Sequence, residues 1–143
     1  MTKKQVAGSC FCGAVQFSIE LPTLFCGHCH CSMCRRPHGA AFVTWTAVPP
    51  DQLTITAGEE RVARYQSSAK GTRSFCNHCG SQLFCQVEDG VVDIAMAALH
   101  GPIDRLPEEH YYYDSRADWV EINDNLPKLG GADGMQPLDS STK

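Results

Sequence analysis

No stretch of this 143-residue chain approaches the roughly 18 consecutive apolar residues of a membrane-spanning helix. No membrane partner is therefore expected. The opening Met-Thr-Lys-Lys-Gln-Val-Ala-Gly is not followed by an apolar run of leader length, so the expectation is a cytoplasmic protein. Positive charge is also short, with 12 Lys and Arg against 16 Asp and Glu and a formal net charge of −4. The only adjacent basic pairs are Lys3-Lys4 and Arg35-Arg36. Binding along a phosphate backbone needs clustered cations, so no nucleic-acid partner is expected. Helical periodicity is scarce as well, which disfavours an α-rich fold.

Cysteine is what the chain has in excess, nine in all. Cys10 and Cys12 form C-x-C. Cys29, Cys31 and Cys34 form C-x-C-x-x-C, with Cys26 upstream. Cys76 and Cys79 form C-x-x-C. Disulfides are disfavoured by the odd count and by a reducing cytosol. Redox C-x-x-C pairs usually open a helix within a βαβ unit, and no such pattern surrounds these.

Zinc suits the spacing better. Two short cysteine pairs far apart in sequence, each on a tight turn, can close a tetrahedral cage. Cys10, Cys12, Cys76 and Cys79 are expected to form one closed structural site, flanked by Gly8, Gly13 and Gly80. Such a site contributes on the order of 10 kcal/mol to folding. Cys29, Cys31 and Cys34 then have no obvious fourth partner, the hallmark of a site with an open position. In the competing arrangement Cys26 or His28 closes that site too. Cys85, within Leu83-Phe84-Cys85, is expected to be a small buried hydrophobe.

The length fits a single domain, and most of it reads as strand. Val15, Phe17, Ile19 and Leu21 alternate with polar residues at period two. Ala41 to Val48 is aromatic and β-branched and stops at Pro49-Pro50. Further strands are expected at Leu53–Thr56, at Arg61–Gln66 with Val62 and Tyr65 as its alternating apolar residues, and at Ser74-Phe75. Leu83–Val87 and Val91–Ala97 read as a hairpin around Glu88-Asp89-Gly90. Helical turns are expected after Cys31 and near Leu106–His110. The domain is expected to span residues 1–129, and 130–143, poor in apolar groups, to form a mobile tail.

Three ordered segments carry a family likeness: Gly8-Ser9-Cys10-Phe11-Cys12-Gly13-Ala14-Val15, Cys29-His30-Cys31-Ser32-Met33-Cys34-Arg35-Arg36 and Phe75-Cys76-Asn77-His78-Cys79-Gly80-Ser81-Gln82-Leu83-Phe84. A weaker match joins His110-Tyr111-Tyr112, Trp119-Val120-Glu121-Ile122 and Asn125-Leu126-Pro127. With these the chain resembles the glutathione-dependent formaldehyde-activating enzyme family, which shares its domain with centromere protein V. The resemblance implies a mainly β, antiparallel, β-tent-like zinc-binding domain with few short helices. It implies two zinc ions, a structural one carried onto Cys10, Cys12, Cys76 and Cys79 and a functional one carried onto Cys29, Cys31 and Cys34. It also implies an activity, S-(hydroxymethyl)glutathione formation from formaldehyde and glutathione, a carbon–sulfur lyase reaction written in reverse. Cys26 and His28 are not hallmarks of the family.

The leading functional expectation is thus an enzyme acting on a glutathione-like thiol and a small carbonyl. Cys31 sits at the centre of its catalytic cluster. Arg35 or Arg36 is a candidate for pairing a substrate carboxylate, and His110 for relaying a proton. Trp45 and Trp119 are read as packing residues, and Tyr111 to Tyr113 as alternating along a strand. The alternatives are a non-catalytic zinc-binding structural or interaction module, and a cysteine-based redox or metal sensor using Cys26 to Cys34.

Overall fold

The computed structural model describes residues 4–88 and 90–138. It is mainly β. In chain order the strands are β1 (Gln5–Ser9), β2 (Gln16–Glu20), β3 (Phe25–Cys29), β4 (Val43–Val48), β5 (Leu53–Ala57), β6 (Val62–Gln66), β7 (Gly71–Cys76), β8 (Gln82–Val87), β9 (Val92–Ala95), β10 (Glu109–Tyr111), β11 (Leu129–Gly130) and β12 (Gln136–Pro137). One α-helix is present among the described residues, α1 (Ser32–His38). The chain divides into two compact units, one of Met1–Phe25 with Thr46–Arg105 and one of Cys26–Trp45 with Leu106–Lys143.

In the first unit, β1, β2 and β5 form an antiparallel three-stranded sheet in that order. The expected alternation in β2 holds. Val15, Phe17 and Ile19 are buried, while Gln16 is exposed and Ser18 and Glu20 are partly exposed. Antiparallel pairings run from β6 to β7, β8 and β9. The core lies where the two sets of strands meet. Phe17 packs edge-on against Phe84 at 4.9 Å between ring centroids, beside Ile19, Leu83 and Ile94. Phe17→Ala removes a ring that is 1% exposed and is expected to cost about 3–5 kcal/mol. A urea denaturation curve checks this.

The predicted hairpin is present, with Gln86 opposite Val92; Asp89 of its turn lies outside the described residues. Tyr65 departs from expectation. It is 66% exposed, because it stands three positions from buried Val62 and a strand turns odd offsets to opposite faces. Cys85 is half-buried rather than buried.

In the second unit, β10 runs parallel to β3, with His110 opposite His28 and Tyr111 opposite Cys29. A helical turn was expected near Leu106–His110, and strand pairing replaces it. Glu108 explains the change, since its N–H donates to the Cys26 carbonyl and its carboxylate accepts the Cys26 N–H. The expected helix after Cys31 is present as α1. It ends on Gly39 in the left-handed conformation, whose N–H caps Arg35 and Arg36 carbonyls.

The three tyrosines do not alternate. β10 stops at Tyr111, Tyr112 takes a left-handed φ of 53°, and buried Tyr113 opens a 3₁₀ turn. The expected boundary at Leu129 also falls inside paired structure. β11 pairs with β12, Gly130 is buried, and the Gly131 N–H donates to Asp114. Composition marked this stretch as unable to fold, but turns at Gly131 and Gly134 (φ +83° and +75°) return it on itself. Residues 139–143 of the expected tail lie outside the described residues.

Candidate metal centres

Two cysteine clusters form, one in each unit. In the first unit, β1 delivers Cys10 and Cys12 on one turn, and β7 runs into a second turn with Cys76 and Cys79. Gly13 and Gly80 lie at φ +81° and +80°, a left-handed backbone that glycine adopts without penalty. The four sulfurs lie within 4.8 Å of one another, with Cys12 Sγ 3.5 Å from Cys10 Sγ and 3.8 Å from Cys76 Sγ. Cys10 and Cys76 are buried and Cys12 is exposed.

Backbone N–H groups already point at these sulfurs. Val15 donates to Cys10 at 3.3 Å and His78 to Cys76 at 3.4 Å. Ser81 Oγ lies 3.2 Å from Cys79 Sγ, and its side-chain and backbone hydrogen bonds bring the Cys79 thiol down to about 5. Cys12 receives the Ala14 N–H, yet desolvation and its neighbours Cys10, Cys79 and Cys76 push it up to about 11. Four crowded thiols that disfavour being charged together, each served by local donors, suit a soft divalent cation held by thiolates.

In the second unit, Cys29 ends β3, Cys31 is the residue before α1, and Cys34 lies in its first turn. Cys31 has extended backbone (φ −67°, ψ 152°) and its carbonyl accepts the N–H groups of Cys34 and Arg35. That turn brings Cys29 Sγ to 3.4 Å from Cys31 Sγ and 3.3 Å from Cys34 Sγ. Trp45 Nε1–H donates to Cys34 Sγ at 3.4 Å. Proton sharing with Cys31 and Cys34, then burial, drives the Cys29 thiol far above its usual range. The trio too has the donor set of a thiolate metal site.

Neither Cys26 nor His28 joins it, nor does any other His, Cys, Asp or Glu among the described residues. The pleat explains this. Residues 26 and 28 of β3 face away from Cys29, and His28 Nδ1 is paired with Thr44 Oγ1 at 2.8 Å. Sequence alone left both in contention as a fourth ligand.

The structure adds a hydrogen-bonded chain that sequence reasoning missed. His30, between Cys29 and Cys31, is fully buried. Its Nε2 lies 2.8 Å from His110 Nδ1, and His110 Nε2 lies 2.9 and 3.0 Å from the two Asp124 oxygens. Tyr113 packs edge-on against both rings, and Arg116 stacks on Tyr113 at 4.2 Å. Burial, then His110, His28, Arg116 and Arg35, hold His30 down to about 4. The hints in the sequence were a histidine between two cysteines and His110, read as a proton relay; nothing marked Asp124.

Arg35 donates from Nε to the His30 carbonyl (3.0 Å) and from Nη2 to the Ser115 carbonyl (3.1 Å). Its guanidinium thus braces two loops, while Arg36 is exposed. Trp45 packs as expected; Trp119, read as packing, is 71% exposed. Tyr112 lies close enough to the trio for Cys31 and Cys29 to add to the effect of burial in raising its hydroxyl.

Residues 5–115 match the family described as glutathione-dependent formaldehyde-activating enzyme. A Halomonas elongata protein provisionally named as such an enzyme is 31% identical over 124 residues, 80% of this chain and 79% of the relative. A Podospora anserina protein with the same provisional name is 35% identical over 81 residues, covering 55% of this chain but only 38% of its own length. A crystal structure of a Rhodobacter sphaeroides protein superposes with a TM-score of 0.58 at 28% identity, covering 68% of this chain and 91% of that one. The family match spans both cysteine clusters and β10, and the chain therefore belongs to the glutathione-dependent formaldehyde-activating enzyme family.

Proposed function

We propose that this protein is a zinc-dependent carbon–sulfur lyase-type enzyme, resembling S-(hydroxymethyl)glutathione synthase, that reversibly joins a glutathione-like thiol to formaldehyde or a similar small carbonyl. One observation carries the reading: the first cluster gathers four sulfurs and the second only three. Cys10, Cys12, Cys76 and Cys79 hold a structural zinc. Cys29, Cys31 and Cys34 hold a functional one with a coordination position to spare. When bound there, the ion supplies a Lewis acid that keeps a thiol deprotonated at neutral pH.

In the reaction, the thiol sulfur bonds to the carbonyl carbon, the C=O π bond opens, and the thiol's proton ends on the carbonyl oxygen. Nothing is oxidised or reduced. The chain's own groups orient the partners. Trp45 holds Cys34 by its indole N–H, and Arg35 fixes the His30 loop through two carbonyls. With Arg35 so engaged, exposed Arg36 is the neighbouring guanidinium left to meet a substrate carboxylate.

Cobalt substitution tests the proposal. Two cobalt ions per chain are expected, each with thiolate absorption in the visible, and glutathione is expected to alter one site only. Cys29→Ser should abolish that response. A spectrum indifferent to every small thiol would show both ions to be structural and overturn the reading.

A further inference from the structure

Just past β10 stands the one non-glycine residue with positive φ among the described residues, Tyr112 (φ 53°, ψ 38°). For a bulky aromatic side chain that conformation is an outlier, kept only where the surroundings enforce it. Here it decides which way the ring is sent. Tyr111 pairs with Cys29 and lies over Gly27, where a Cβ would strike its ring, so it keeps the face of β3 that carries Cys29. Tyr113 lies edge-on against His30 and His110 on the opposite face. A strand continuing through 112 would put that side chain among the imidazoles as well. The left-handed turn sends it to the sulfurs instead. Burial first, then the charges of Cys31, Cys29, Asp133 and Cys34, raise the Tyr112 hydroxyl, and in a solvated site charges act this way only at close range.

The ring is fixed on one side and open on the other. The Tyr112 N–H donates to the Gly134 carbonyl at 3.0 Å, and the Tyr112 carbonyl accepts the Ser115 N–H at 2.9 Å. A Cβ at buried Gly134 would overlap the Tyr112 ring, so the ring rests directly on bare backbone, which only glycine offers. Tyr112 itself is half-buried, as is Cys31, whereas Cys29 and Cys34 are buried. The approach from solvent to the cluster therefore runs past Cys31. Of the three sulfurs, Cys31 is the one that acts most on the Tyr112 hydroxyl.

A phenol ordinarily loses its proton only near pH 10. At neutral pH Tyr112 thus offers an O–H donor, and the proposed reaction has a use for one. As sulfur bonds to the carbonyl carbon, the π electrons move onto oxygen. A donor already in place at that oxygen lowers the barrier.

We infer that Tyr112 is a catalytic residue: turned out of β10 and bedded on Gly134, it holds its phenolic O–H at the solvent side of the three-sulfur cluster as the hydrogen-bond donor to the oxygen of the small carbonyl and, in the product, of the hydroxymethyl group. This deepens the proposed function and rests on it. The phenol keeps its own hydrogen throughout. The proton that thiolate formation releases to water returns from water to the carbonyl oxygen.

Tyr112→Phe removes the O–H and leaves the ring on Gly134. Melting temperature, metal per chain and affinity for glutathione alone should be unchanged. Affinity for the adduct separates a donor from a packing ring and needs no turnover. Glutathione is titrated into the cobalt-loaded protein with and without excess formaldehyde, with which it combines in solution. The wild-type chain should bind the adduct roughly 3- to 10-fold more tightly than Tyr112→Phe, the worth of one hydrogen bond. In the variant kcat should also fall on the order of 10²- to 10³-fold, as for the loss of one oxyanion donor. Equal adduct affinity in two proteins that both bind glutathione overturns the inference and leaves the proposed function standing, and so does an unchanged kcat. A wild-type spectrum indifferent to glutathione and adduct alike overturns the proposed function, and the role of Tyr112 with it.

Discussion

Cys12→Ser is expected to produce a protein that is largely insoluble or unfolded at 37 °C, although Cys12 is the exposed member of its cluster. Solvent exposure is a poor guide here. The sulfur sits 3.5 Å from Cys10 Sγ and 3.8 Å from Cys76 Sγ, so in the proposed structural site it is one of four ligands that would hold two distant turns together. A serine hydroxyl is not deprotonated at neutral pH and is a weak ligand for a soft site. Apparent binding at a structural zinc site is worth on the order of 10 kcal/mol, comparable with the roughly 5–15 kcal/mol that holds a whole domain folded. Losing even half of it would leave little margin. Soluble yield, a circular-dichroism melt and zinc per chain decide the matter. A variant with unchanged Tm and zinc content would remove the structural role from this cluster.

Cys31→Ser is expected to behave in the opposite way, folding normally and losing function. Its cluster occupies a local turn, with Cys29, Cys31 and Cys34 within six residues of one another in sequence. The turn is independently secured by the Cys31 carbonyl, by α1 and its Gly39 cap, and by the two Arg35 hydrogen bonds. In the proposed arrangement, less of the fold would depend on an ion held there. Removing one of three ligands should abolish the glutathione response of the cobalt spectrum and lower kcat/KM by on the order of 10³-fold, about 4 kcal/mol of transition-state stabilisation. Melting temperature should change by only a few degrees. Equal collapse of both variants would mean that both clusters are structural, the zinc-module alternative.

Much of this division was readable in the order of the residues. Short C-x-C and C-x-x-C spacings force their thiols together whatever surrounds them, and the glycines at 13 and 80 stand where each turn demands a left-handed backbone. The alternation in β2 was equally legible, because a half-buried strand imposes period two. Where the reading failed, the cause was pairing between remote segments. The strand at Glu109–Tyr111 exists because β3 lies alongside it, and a three-residue strand has no periodic signature of its own. Gly130 to Leu138 is poor in apolar groups, yet backbone hydrogen bonds and the Asp114 carboxylate order part of it.

Local spacing, then, was sufficient to determine which neighbouring cysteines share a turn and that the chain is built of strands. Those properties depend on neighbours a few residues apart, whose geometry the covalent chain limits. Only the tertiary structure decided that Cys26 and His28 face away from the trio, that Arg35 is tied to two carbonyls, and that His30 meets His110 and Asp124. Strand pleat and parallel pairing bring residues 80 positions apart within 2.8 Å, and a hydrogen bond across that separation has no imprint on the local pattern of either partner.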